Sequence, residues 1–123
     1  MVSLDSDADG IVTLRFAPPY ADDDERAYLD ALAELGRREE PFLLLTVFGG
    51  GRKLSQAGER EQAIWFKRTR AQFGALCGAC AIVRPGATEA MADVFRRLWP
   101  FPISLETDEA AARAFLLKHR RAA

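Results

Sequence analysis

Apolar and polar positions alternate along this chain in blocks whose spacing switches between strand and helix. Met1–Leu4 and Ile11–Phe16 are short apolar segments separated by Asp5-Ser6-Asp7-Ala8-Asp9-Gly10. Asp9-Gly10 is a strong turn signal, so the pair predicts an antiparallel hairpin. Ala17-Pro18-Pro19-Tyr20 breaks the pattern. Asp22 and Glu25 then stand three residues apart in the manner of a capping box, and Tyr28, Leu32 and Leu35, with Ala31 beside them, share one helical face. This predicts a helix over Asp23–Arg38. The run Phe42–Phe48 is apolar except for Thr46, shows no period-two alternation and stops at three glycines. That is the pattern of a strand buried on both faces, and it predicts the centre of a sheet covered by helices.

Past the glycines, Ser55 opens a polar start and Glu59–Phe73 reads as a second helix. Its wheel places Phe66, Phe73, Thr69 and Ala63 on the core face, Ile64 nearly opposite Phe66, and Trp65 at the margin. Gly74 is placed as its C-terminal cap. Leu76–Val83 is small and apolar, which predicts a further buried strand, turned by Pro85-Gly86. Ala87–Leu98 predicts a third helix with Met91, Val94, Phe95 and Leu98 on one face. Trp99-Pro100-Phe101-Pro102 forbids its continuation. Ile103–Leu105 is a short strand, Thr107 a helix N-cap, and Asp108 and Glu109 suit a first turn. Ala111, Ala114, Phe115 and Lys118 carry a last helix to the basic end Lys118-His119-Arg120-Arg121. The order ββαβαβαβα predicts an α/β fold. Its central sheet is mostly parallel, the N-terminal hairpin supplies the antiparallel part, and helices pack on the sheet.

The length of 123 residues matches one domain over 1–123 with one proper core. No apolar run is long enough to cross a bilayer and no N-terminal signal segment is present, so the expectation is a cytoplasmic protein. Charge is unevenly spread. Met1–Phe48 holds eleven Asp/Glu against four Lys/Arg, and Gly49–Ala123 holds thirteen Lys/Arg against seven Asp/Glu. The simpler reading is two solvated faces rather than an anion surface.

The C-terminal third carries a resemblance. Phe95-x-x-Leu98-Trp99-Pro100-Phe101-Pro102-Ile103-Ser104-Leu105, then Thr107-Asp108-Glu109-Ala110 and Ala114-Phe115-Leu116, resembles the final helix–strand–helix unit of STAS-like proteins. The likeness is to the SpoIIAA-like (anti-sigma-factor-antagonist-like) group of small bacterial proteins. The element order is similar over nearly the whole chain. The resemblance implies a module that acts by binding protein partners or a small ligand, not by chemistry, and a fold similar to that of lipid-binding Sec14-type proteins. Phosphorylated antagonists carry Asp-Ser-Ser/Thr-Gly where the strand meets helix two. This chain has Gly49-Gly50-Gly51-Arg52-Lys53-Leu54-Ser55 there. Ser55, the one hydroxyl nearby, lacks the preceding Asp and the following Gly, and reads as an N-cap rather than a phosphosite.

Four further features bear on chemistry. Gly49, Gly50, Gly51, Arg52 and Lys53 are of the type that forms an anion-binding nest, although they do not match a nucleotide P-loop. Cys77-Gly78-Ala79-Cys80 is a C-x-x-C leading into a strand. Redox work needs the first thiol exposed at a helix N-terminus, and thiols at i and i+3 of a regular strand face opposite sides. Buried structural cysteines are therefore expected, and a thiol redox enzyme is the alternative. Asp5-x-Asp7-x-Asp9 lacks the Glu of a calcium loop and reads as a hairpin tip. His119 stands in a basic tail, so no metal site and no cofactor are expected. Ile64 and Trp65, rimmed by Arg60, Lys67 and Arg68, form the pattern of a self-association or partner surface. The slightly acidic chain carries no nucleic-acid recognition motif beside those cations, which speaks against nucleic acid. Together these features imply a non-catalytic binding module. A lipid carrier is a further alternative, which requires an apolar cavity beneath a helix.

Overall fold

The computed structural model describes residues 1–49, 54–84 and 88–120. Nine elements follow in the expected order: β1 (Val2–Ser6), β2 (Ile11–Phe16), α1 (Asp24–Leu35), β3 (Phe42–Phe48), α2 (Gln56–Leu76), β4 (Cys77–Val83), α3 (Glu89–Leu98), β5 (Ile103–Glu106) and α4 (Glu109–Lys118). The strands lie side by side in chain order, β1-β2-β3-β4-β5. β1 and β2 pair antiparallel, and every other pair is parallel. The hairpin turns at Gly10, whose φ of 79° is the left-handed conformation that glycine adopts without strain. β3 is the middle strand, buried from Phe42 to Thr46. The expectation that Phe42–Phe48 organises the sheet holds because only a strand covered on both sides can be apolar at successive positions.

Two separate cores follow from the alternation of side chains across the sheet. Val12, Leu14, Phe42, Leu44, Cys80 and Ile82 face α1 and α2, and pack with Leu29, Leu32, Leu35 and Phe73 from those helices. Ile11, Leu43, Leu45, Ala79 and Ala81 face the other way, against Ala112 and Leu116 of α4. The aspartates of the hairpin tip serve this second layer. Arg113 of α4 reaches Asp7 at 3.0 Å and Asp9 at 3.4 Å, and Arg120 reaches Asp9 at 3.4 Å. The Asp7 carboxyl is held below its ordinary range. Burial opposes this, and is outweighed by hydrogen bonds from Arg113 and from the Asp9 and Ile11 amides. Arg113 and Arg120 thus set two cations of the basic half against two aspartates of the acidic half, whereas Arg15–Glu109 and Arg26–Glu61 run the other way.

Several boundaries and caps differ from the sequence reading. Helix one ends at Leu35, and the Asp22/Glu25 capping box does not form. Asp24 Oδ2 instead accepts from the Ala21 amide at 2.7 Å, and Glu25 turns to the next helix. Helix two runs from Gln56 to Leu76, with Gly74 inside it rather than capping it. Ala63 is exposed, while Thr69 and Phe73 are buried. Asp108, not Thr107, caps α4, accepting from the Ala111 amide at 2.8 Å. The Pro85-Gly86 turn and the side chains of Met91, Val94, Phe95 and Leu98 lie outside what is described.

The largest departure is in β4. Phe42 pairs with Cys77 and Leu44 with Cys80, so two residues of β3 oppose three of β4. The extra residue is a β-bulge, and it resets the alternation. Cys77 and Cys80 therefore share the α1/α2 core instead of facing opposite sides.

Candidate functional site

Helix α2 is tied to α1 along its length by polar groups. Ser55, its N-cap, accepts from the Gly58 amide at 3.0 Å, and its hydroxyl donates to Glu25 Oε2 at 2.8 Å. The Ser55 amide donates to Glu25 Oε1. Arg26 pairs with Glu61 through a guanidinium fork, and the Tyr28 hydroxyl donates to Gln62 Oε1 at 2.8 Å. Gln72 Nε2 donates to the Arg38 carbonyl at 2.8 Å. Two glycines permit this approach. A Cβ at Gly58 would lie 2.7 Å from Glu25 Oε1, and one at Gly36 would lie 2.8 Å from Thr69 Cγ2 and 3.0 Å from Trp65 Nε1.

Toward the sheet the same helix leaves room. An open-mouthed cavity of about 560 Å³ lies between α2 and the strands, within the roughly 300–1,000 Å³ of small-molecule sites. Leu14, Phe16, Leu44, Phe48 and Ile82 line it from the sheet. Trp65, Phe66 and Phe73 line it from α2, Tyr28 and Leu32 from α1, and Trp99 and Phe101 from the segment after α3. Its polar groups are few: Tyr28, Thr46, Glu59, Gln62 and Arg84. Thr46 and Arg84 mark the carboxyl ends of β3 and β4, the side on which open α/β sheets bind ligands.

The rings around the cavity fall into two groups. Phe16, Tyr20, Tyr28 and Phe48 touch one another, with centroids 5.7–6.3 Å apart. Phe42, Trp65, Phe66, Phe73, Trp99 and Phe101 form the other group, which includes Phe73 stacked on Trp99 at 5.0 Å. Burial pushes the Tyr28 hydroxyl up to about 12, and the positive charge of Arg84 works against that rise.

The residues singled out in the sequence are distributed unevenly around this site. Phe48 and Leu54, which flank residues 49–53 in sequence, both line the cavity. Gly49 is exposed, and Gly50, Gly51, Arg52 and Lys53 lie outside the described residues. Ser55 is an N-cap whose hydroxyl is engaged by a carboxylate. Arg60, Ile64, Trp65 and Arg68 meet in a groove of about 430 Å³ between α1 and α2, with Leu29 and Ala33 opposite. Ile64 is 46% exposed there. Lys67 is exposed and does not line the groove. Trp65 is partly buried: its ring packs against Phe73 beside Gly36 and also lines this groove, which matches the margin position on the helical wheel.

Cys77 and Cys80 are both buried, 1% and 7% exposed, in a strand. Burial, with Cys77 adding to it, pushes the Cys80 thiol well above its ordinary range. An attacking thiolate needs the opposite environment. His119 packs on Phe115, with centroids 4.7 Å apart. Among the described residues no cluster of metal-ligating side chains forms, and no helix is long and apolar enough to cross a membrane. The cavity itself was not legible in the sequence; its one signal was the excess of aromatic residues in helix two and in Trp99–Phe101.

No family model and no curated protein matches the sequence. Among solved structures, the chain is similar to an uncharacterised protein of the DUF3478 family with a SpoIIAA-like fold from Shewanella loihica PV-4. The TM-score is 0.62 at 15% identity, and the match covers 94% of this chain and 92% of that one. The five-stranded mixed sheet, antiparallel only at its β1–β2 edge, with four helices in this order, is a SpoIIAA-like α/β fold.

Proposed function

We propose that this protein is a non-catalytic binding module that holds a small apolar ligand beneath α2. The observation that carries the reading is the cavity of about 560 Å³, apolar in its body and polar at a few points. Such concave, largely apolar sites with a few orienting groups are the usual form of a small-molecule site. The burial of both thiols supports binding over thiol redox chemistry. Of the two ligand readings, apolar and anionic, the cavity supports the first directly.

The neutral dye N-phenyl-1-naphthylamine is expected to bind saturably, one per chain, with a rise in its emission. Ile82→Trp fills the floor of the cavity and should weaken this at least about tenfold while the circular dichroism spectrum is kept. Non-saturable binding, or binding unchanged in a folded Ile82→Trp variant, would remove the proposal.

A second reading, self-association, is favoured by the α1/α2 groove with Ile64 exposed at its edge. Ile64→Glu places a charge in that apolar strip and is expected to shift the sedimentation profile toward monomer with the fold unchanged. An identical profile for the two proteins excludes this face as a contact between copies.

A further inference from the structure

We infer that the cavity takes a planar aromatic ligand bearing one negative charge, seated between two walls of rings with its anionic group at Arg84. The inference rests on the reading of the cavity as a ligand site. Its first support is the arrangement of the rings. Tyr28 and Phe48 stand in one aromatic group, and Phe66, Phe73 and Trp99 in another. Members of both line the same space. No ring contact joins the two groups among the described residues. Rings gain from offset-stacked or edge-to-face neighbours at centroid distances of roughly 4.5–7 Å. A flat arene between the walls supplies each with such a neighbour, whereas an acyl chain offers only area.

The second support is the charge. Arg84 lines the cavity at the carboxyl end of β4 and forms no ion pair among the described residues. Arg84 and Tyr28 line the same space. Glu59, the one carboxylate among the described lining residues, stands in the first turn of α2, where the helix N-terminus favours its charge. Arg84 is therefore a cation of the described lining that no described carboxylate holds. A guanidinium binds a carboxylate or a sulfonate through paired charge-assisted hydrogen bonds.

Calorimetric titration of the full chain with 2-naphthoate, 2-naphthamide and decanoate separates these supports. 2-Naphthoate is expected to bind about tenfold or more tightly than 2-naphthamide, because only the acid meets Arg84 as an ion. Arg84→Gln, at an exposed position, should abolish that preference by lowering 2-naphthoate affinity about tenfold more than 2-naphthamide affinity. Decanoate, with the same charge and no ring, should bind more weakly than 2-naphthoate, and Phe48→Leu should narrow the gap. Equal affinity for acid and amide, or a preference that survives Arg84→Gln, overturns the charge assignment. Decanoate binding tighter than 2-naphthoate overturns the aromatic one. If N-phenyl-1-naphthylamine binds and 2-naphthoate does not, this inference fails and the cavity reading stands. If neither binds, both fall.

Discussion

Phe73→Ala is expected to lower the unfolding free energy by about 3–5 kcal/mol, the largest loss at any single position of α2. Phe73 is 1% exposed. Its ring meets Phe42 edge-on at 5.4 Å and Trp65 at 5.2 Å, and stacks on Trp99 at 5.0 Å. It is the buried apolar link between the C-terminal half of α2 and the sheet, because the other bonds of that helix run to α1. Truncation leaves a void beside an existing cavity. The surrounding rings are fixed by one another and collapse poorly, which places the cost toward the upper end of the range. A domain of this size has roughly 5–15 kcal/mol in all, so the variant should sit near its folding threshold. Urea denaturation followed by tryptophan emission measures it. A loss under about 1 kcal/mol would show that α2 is held by its polar bonds to α1 alone.

Leu116→Ala is expected to cost about 2–5 kcal/mol through the opposite core. Among the described residues, α4 is the one helix with side chains in that layer, and Leu116 is fully buried in it. The facing positions Ala79 and Ala81 are small, which brings the helix close and makes Leu116 the main filling group between helix and sheet. The ion pairs of Arg113 and Arg120 with the hairpin tip are exposed and contribute at most about 1 kcal/mol each. Thermal and denaturant unfolding of Leu116→Ala beside Arg113→Ala tests that ranking. A larger loss for Arg113→Ala would mean that electrostatics, not burial, keeps α4 in place.

The sheet was legible because its strands are apolar runs bounded by turn residues. Phe42–Phe48 and Ile11–Phe16 coincide with their observed spans. Helix two was harder. Its buried set depends on what stands opposite, and a helical wheel contains no neighbours. Trp65 packs beside Gly36, far away in sequence, which has no side chain to displace it, and Ala63 is exposed. The cavity was illegible for a related reason. A lining residue and a core residue have the same hydrophobicity, and only the distance between opposing walls separates them. The C-x-x-C was misjudged in its geometry since a bulge adds one residue without any change in composition.

That extra residue in β4 acts as a phase marker. Counting by twos from Cys77 would send Cys80 and Ile82 to the α4 side, and Arg84 with them. With the bulge, Cys80, Ile82 and Arg84 all lie along the cavity, while Ala79 and Ala81 present the small surface on which α4 rests. The length of the segment between Cys77 and Cys80 thus carries information that no single side chain does. Removing one residue there would take the bulge out and leave Cys80, Ile82 and Arg84 on the cavity side, whereas regularising the strand at its present length would set a guanidinium against α4 and an alanine at the cavity wall. The outer half of β4 thus tolerates loss of the extra residue but not loss of the kink alone, a constraint on how sequences of this shape can drift.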